Sequence, residues 1–445
     1  MTKKLLLVVF AFALVVAACG DDDDGTGTTT TAASTESTTT TTAAETTTTA
    51  AETTTTAAET TTTAAAAPAD PGELVVGYVL PQTGSLSAII DALVKPLEMG
   101  VEEITAAGGQ VSLIPGDSGT DPNVASATTD QLLADDVDVI IGAAGSSVSL
   151  SIIDKITGSE VLQCSGSNTD GAFTTYDDGG FYFRTAPSDV VQAPTLADVI
   201  TDGGAATVGI IYRNDDYGAG FNDLLSEALT ANGVTVASQV GYDPTATSFD
   251  AEAAEVAAAG VDAVAIITFG EGSAVMQSMI EAGIGPSDLQ IYVADGFKET
   301  VTAESVDPNN PAVLEGIIGT APSAAPPNGE PGFIERLDAF APDTPTIFSA
   351  HKYDCLMVMK LASEVAGSTD PSVFVSEVIG VTIGGTKCSL YDECSALIAQ
   401  GEDIDYDGAS GPLEFTDVGE PGVGAYDVYE YDAEGNAVTF DQLVL

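Results

Sequence analysis

From Glu73 onward, short apolar runs alternate with longer amphipathic stretches, and this rhythm constrains the fold more than any other feature of the chain. "ELVVGYVL", "QVSLIPGDSG", "VDVIIGA" and "VLQCSGS" read as strands. The stretches between them, "SAIIDALVKPLEMGVEEITAAGG", "DPNVASATTDQLLADD" and "SLSIIDKITGS", read as helices. After "FYFRTAPSD" a second series begins, with strands "TVGIIYRND", "VTVASQVGY", "DAVAIITFG" and "LQIYVADGF" and helices between them. Strands that alternate with helices build parallel sheets covered by helices on both faces. Two such series predict an α/β protein of two lobes, each a parallel sheet flanked by helices.

The preceding residues belong to no core. Lys3 and Lys4 stand before an apolar run from Leu5 to Ala18, which ends in "VVAACG". A charged start, a short apolar stretch and small residues at its end describe a secretory signal. The run is shorter than the roughly 20 residues that a membrane-spanning helix needs. Small residues before Cys19 resemble the lipobox of bacterial lipoproteins, whose cysteine carries the lipid, so residues 1–19 read as a lipoprotein signal peptide. Residues 20–71 follow as Asp/Thr/Ala-rich sequence with a repeated AAETTTT. Alanine is the only apolar residue of that repeat, so no coiled-coil seam can be buried. The segment reads as a disordered stalk, spanning on the order of 40 Å.

The formal net charge is −56, from 67 acidic and 11 basic residues, which is the opposite of a nucleic-acid footprint. Five cysteines are present. With Cys19 lipidated, four remain in a secreted setting and disulfides are permitted. Cys388 and Cys394 bracket "SLYDE" and are expected to close a small loop, while pairing of Cys164 with Cys355 stays open. A single histidine, His351, and the lack of any CxxC argue against a zinc site, and His351 reads as structural.

Open parallel sheets bind ligands at the carboxyl ends of their strands. The loops there are "PQTGSLS", "GAAGSS", "SGSNTD", "NDDYGAG", "FGEGS" and "ADGFKE". None has the GxGxxG or GxxxxGK[ST] spacing of a nucleotide site. No G-x-S-x-G elbow is present, and the lone histidine is far in sequence from the loop serines, so no enzyme is expected. Ser146 and Ser147 put hydroxyls and amides at a helix start, which suits a carboxylate. Ser167, Asn168 and Thr169 add donors at the next strand end, and Asp295 stands at a strand tip of the second series. Neutral donors on one side and a lone acid on the other match a small zwitterion, of which a free amino acid is an example. No cofactor and no metal is implied.

Taken in order, "GYVLPQTGSLS", "GGQVSLIPGDSGTDPNVASATTDQLLADD", "VIIGAAGSS", "CSGSNTDGAF", "FYFRTAPSD", "YRNDDYGAGF" and "YVADGF" resemble the type I periplasmic binding proteins that feed ABC transporters, in their leucine/isoleucine/valine-binding branch. The resemblance implies two lobes closing on a ligand and joined by three crossings, near Pro187, Ala321 and Gly411. The lobes would then comprise residues 72–187 with 321–410, and 188–320 with 411–445. It further implies that Ser146 binds the ligand carboxylate. Thr169 and the Ser167 backbone would bind carboxylate and ammonium, Tyr217 would cap the ligand, and Asp295 would pair with the ammonium. The aromatic residue expected after the glycines of the preceding strand end is missing in "FGEGS", so Glu271 enters the ligand set as a group for a cationic or amide ligand. The implied role is an extracytoplasmic lipoprotein, anchored to the outer face of the cell membrane, that hands a branched-chain or other amino acid to an ABC permease. A ligand-sensing lipoprotein and a carrier of amides such as urea are the alternatives.

Overall fold

The computed structural model describes residues 70–445. The signal peptide, Cys19 and the stalk as far as residue 69 lie outside the described residues. Five parallel strands form the first sheet: β1 (Leu74–Leu80), β2 (Val111–Asp117), β3 (Val139–Gly142), β4 (Leu162–Ser165) and β5 (Tyr182–Arg184). Their order is β2-β1-β3-β4-β5. β3 and β4 are buried at every position, as expected of strands covered on both faces. The covering helices include α1 (Ile90–Ala106), α2 (Pro122–Ala134) and α3 (Ser146–Thr157).

The second series follows α4 (Asp189–Asp202). It comprises β6 (Thr207–Arg213), α5 (Asp216–Ala231), β7 (Thr235–Tyr242), α6 (Asp250–Ala259), β8 (Ala263–Ile267), α7 (Gly272–Glu281), β9 (Gln290–Val293), the short α8 (Ala303–Val306) and β10 (Ile318–Pro322). The chain then returns to the first half. There, α9 (Phe333–Phe340) and α10 (Ser349–Ala366) pack beside α1, and β11 (Thr386–Cys388), β12 (Ile404–Gly408) and β13 (Gly411–Pro412) make a small separate sheet. Finally β14 (Ala425–Tyr431) and β15 (Ala437–Val444) complete a seven-stranded sheet of order β15-β14-β10-β9-β8-β6-β7.

Two features differ from the sequence expectation. β14 and β15 run antiparallel on the edge of an otherwise parallel sheet, because "AYDVYEYDAEGNAVTF" is a hairpin rather than a strand-and-helix unit. The second and third crossings also fall later than Ala321 and Gly411. Ala321 still pairs with Asp427 inside the second sheet, and Gly411 still pairs with Gly408 in the small sheet of the first half.

α10 is buried from Ser349 through Glu364. A helix covered all round is a core element, and a disulfide between Cys355 on α10 and Cys164 on β4 ties it to the first sheet. Cys388 and Cys394 are also bonded to each other. His351 is buried beside Phe348, and burial pushes its pKa down to about 3.

Candidate functional site

Parallel strands deliver their following loops to one edge of the sheet, and here the two sheets present those edges to each other. Between them lies a small cavity lined by residues of both halves. The first half supplies the start of α3. Gly145 is its N-cap and makes no side-chain cap bond, so the amides of the first turn are left for another acceptor. Ser146 stands at this start and Ser167 and Thr169 follow β4, all on the cavity wall. The second half supplies Tyr217 from the first turn of α5 and Asp295 from the tip of β9.

Asp295 is 3 % exposed. It accepts hydrogen bonds from the Tyr217 hydroxyl (2.9 Å) and Gln192 Nε2 (3.2 Å). Burial pushes its pKa up to about 6, against the opposing pull of those two donors. Burial, and then the charge of Asp295, also raises the Tyr217 phenol. The rest of the wall is apolar, built from Leu86 and Ile89 before and at the entrance to α1, Phe269, and Ile347 with Phe348 ahead of α10. The site therefore combines uncharged donors, one carboxylate, one lysine and a greasy flank.

Ser146, Ser167, Thr169, Tyr217 and Asp295, singled out from sequence, all reach this cavity; Ser147, Asn168 and Glu271 do not line it. The Ser147 hydroxyl accepts instead from the Tyr217 amide across the cleft (3.4 Å). The Asn168 side chain is consumed inside the first half. It donates to the carbonyls of Ala143 (3.2 Å) and Ala144 (3.0 Å) and accepts from the Tyr182 hydroxyl (2.9 Å). Glu271 turns away and accepts from Arg213 (2.6 Å), the Tyr242 hydroxyl (3.0 Å) and the Phe269 amide (3.3 Å). The aromatic that the sequence lacks after the glycine is supplied before it. Phe269 stacks on Tyr217 with centroids 5.1 Å apart, and the Arg213 guanidinium lies 3.7 Å from the Phe269 centroid. Arg213 and the Oε1 atom of Glu271 thus hold an aromatic wall in place.

Phe269 is missed from sequence by two positions. Lys298, also on the cavity wall, is missed although a basic residue in a strand-end loop is rare in this chain. It pairs with Asp427 (3.1 Å) on β14. Among the described residues, no group of three or more His, Cys, Asp or Glu is placed to hold a metal ion.

The halves meet closely. The Gly270 amide donates to the Ser85 carbonyl (3.2 Å), and a Cβ on Gly270 would stand 2.4 Å from that oxygen. Backbone cannot yield by that much, so Gly270→Ala is expected to prop the halves apart without unfolding either. If closed molecules fall to a tenth, ligand affinity falls about tenfold. Calorimetry combined with small-angle scattering should show weaker binding, a larger radius of gyration and a native circular dichroism spectrum.

Residues 73–436 match the periplasmic binding protein family. The chain belongs to that family. It is 25 % identical over 383 residues to the Leu/Ile/Val-binding protein homolog 3 of Brucella melitensis, covering 81 % of this chain and 92 % of the relative. Its fold is similar to that of a leucine binding protein, LivK, from Thermotoga maritima, with a TM-score of 0.70 at 20 % identity over 83 % of this chain and 98 % of that one. It is also similar to a solute binding protein of an ABC transporter from R. palustris solved with benzoate, with a TM-score of 0.67 at 17 % identity over 83 % of this chain and 96 % of that one. This binding protein is accordingly a solute carrier of the ABC-transporter type that works outside the cytoplasm, and it is not an enzyme. Its two halves have the type I periplasmic binding protein fold.

Proposed function

We propose that this protein captures a small apolar amino acid, of the branched-chain class, between its two lobes and delivers it to an ABC permease while anchored to the membrane through a lipid on Cys19. The observation that carries the reading is the placement of Asp295 across one cavity from Ser146 and Thr169. The ligand carboxylate goes to the uncapped start of α3 and the hydroxyls of Ser146 and Thr169, where backbone amides and the helix dipole favour an anion. The ammonium goes to Asp295 in a charge-assisted bond. The side chain goes against Leu86, Ile89, Phe269 and Phe348. Tyr217 closes over the ligand from the second lobe, and ligand favours the closed form by its greater affinity for it.

A thermal-shift screen with the natural amino acids, urea and benzoate tests this. A ligand present at about 100 times its Kd raises stability by roughly 2.7 kcal/mol, and leucine, isoleucine or valine should give the largest shift. Benzoate as the strongest ligand would favour a second reading, an aromatic-acid carrier, for which Phe269, Phe348 and Lys298 on the wall are the observations. Incorporation of labelled palmitate that is lost in Cys19→Ala would support the anchor.

The acid at the ammonium end makes binding pH-dependent. Protonated Asp295 cannot pair with an ammonium, so leucine affinity should fall below about pH 6, by up to tenfold per unit. Stability of the ligand-free protein moves the other way. A carboxyl raised from 3.8 to about 6 on folding contributes stability that is full below 3.8 and is lost as pH rises through about 6. Melting curves of wild type and Asp295→Asn across that range separate this contribution from the general effect of the acidic surface.

A further inference from the structure

Asp189, at the first turn of α4, is fully buried, and neither of its carboxylate oxygens makes a hydrogen bond of good geometry; the one neutral side-chain donor that faces it is the Thr169 hydroxyl. Its backbone amide donates to the Thr169 carbonyl (2.7 Å), which brings it up behind the cavity wall. One turn along the same helix, Gln192 reaches Asp295. The charged and titratable groups facing Asp189 are Asp295, Asp170 and Arg184, with the phenols of Tyr217 and Tyr426 close by. The donors among them are already engaged. Arg184 binds Glu420, Thr174 and the carbonyls of Asn168 and Asp170. Tyr217 donates to Asp295, and Tyr426 to the Ser188 carbonyl. A buried carboxylate that faces no more than a neutral hydroxyl is costly. In a binding cleft, such a vacancy fits a donor that arrives with the ligand, and a primary ammonium brings three N–H groups.

We propose that Asp189 is a second carboxylate of the ammonium end, and that Asp189 and Asp295 hold one proton between them until the ligand ammonium displaces it to solvent. This rests on the amino-acid reading above. The charge balances: the pair with one proton carries −1, and two carboxylates with one ammonium also carry −1. Burial, and then the like charges of Asp295 and Asp170, push the Asp189 pKa well above the ordinary carboxylate value, in keeping with a retained proton. An ammonium beside the pair lowers both acids and drives the proton out. A cleft built this way takes a primary ammonium and disfavours a carboxylate that lacks one.

The test uses the full chain and Asp189→Asn, with L-leucine as probe. Calorimetry near pH 6.5 in two buffers of different ionisation enthalpy counts the protons released on binding. Wild type should release a large part of one proton, and the variant should release little and bind at least about tenfold more weakly. Without ligand, Asp189→Asn should melt above wild type near pH 8, where the unpartnered charge is gone, and alongside it near pH 5. The proposal is overturned by an unchanged proton count and affinity, by a variant that melts lower near pH 8, or by one that does not fold. If wild type binds no amino acid at all, the amino-acid reading fails, and the assignment of Asp189 to an ammonium site fails with it. If both proteins bind leucine alike, only the inference about Asp189 fails.

Discussion

Asp295→Ala is expected to abolish measurable capture of L-leucine while leaving the fold intact. Asp295 is the ionisable group on the second-lobe wall that offers an acceptor to the cavity, and its existing partners, Tyr217 and Gln192, are neutral donors that do not satisfy a negative charge as an ammonium would. Truncating one side of a buried charged pair costs about 2–5 kcal/mol, or roughly 30- to 4,000-fold in affinity. The fold should survive because a buried carboxyl whose pKa is raised by burial is a burden to the empty protein, and its removal leaves two side chains able to repack. Calorimetry reads the loss and circular dichroism checks the fold. A variant that keeps its affinity would remove the ammonium from Asp295.

The largest effect on stability is expected from Cys164→Ala with Cys355→Ala. This bridge spans 191 residues and joins β4 of the first sheet to the buried helix α10, which follows the second lobe in the chain. Loop-closure entropy for a span of that size is worth about 5 kcal/mol, the upper end of what native disulfides contribute. The Cys388–Cys394 bridge closes a separation of only 6 residues, and the same relation assigns it about 2 kcal/mol. Urea unfolding of the two double variants should rank them in that order. Equal losses would mean that the long bridge does not restrain the unfolded chain as its span implies.

The parts of the site that could be read from the sequence share one property: each follows a parallel strand. Ser146, Thr169, Tyr217 and Asp295 come from distant segments, and parallel topology carries every strand-end loop to the same edge. Sequence order thus becomes spatial proximity without any knowledge of packing. What was hidden depends on local rotation. Phe269 and Glu271 flank one glycine, and which of them faces the cleft is decided by the Arg213 and Tyr242 partners that draw Glu271 away. Asn168 and Thr169 are neighbours, yet one is consumed by the Ala143 and Ala144 carbonyls and the other lines the cavity. Asp189 closes the stretch "FYFRTAPSD" ahead of the second series, where nothing in the sequence assigns it a role. Only its burial and lack of partners mark it out. The antiparallel β14 and β15 lay beyond the strand-and-helix rhythm that organised the rest of the chain.

On the proposed function one cleft holds both ends of an amino acid, and three ligands of similar shape probe each end separately. Calorimetric titration near pH 7.5 with L-leucine, with 4-methylpentanoate, which lacks the ammonium, and with isopentylamine, which lacks the carboxylate, separates the two contacts. Each missing charge removes about 2 kcal/mol or more, so leucine should bind at least about 30-fold more tightly than either analogue. Binding of 4-methylpentanoate as tight as that of leucine would contradict the account, because Asp295 would then face no positive charge.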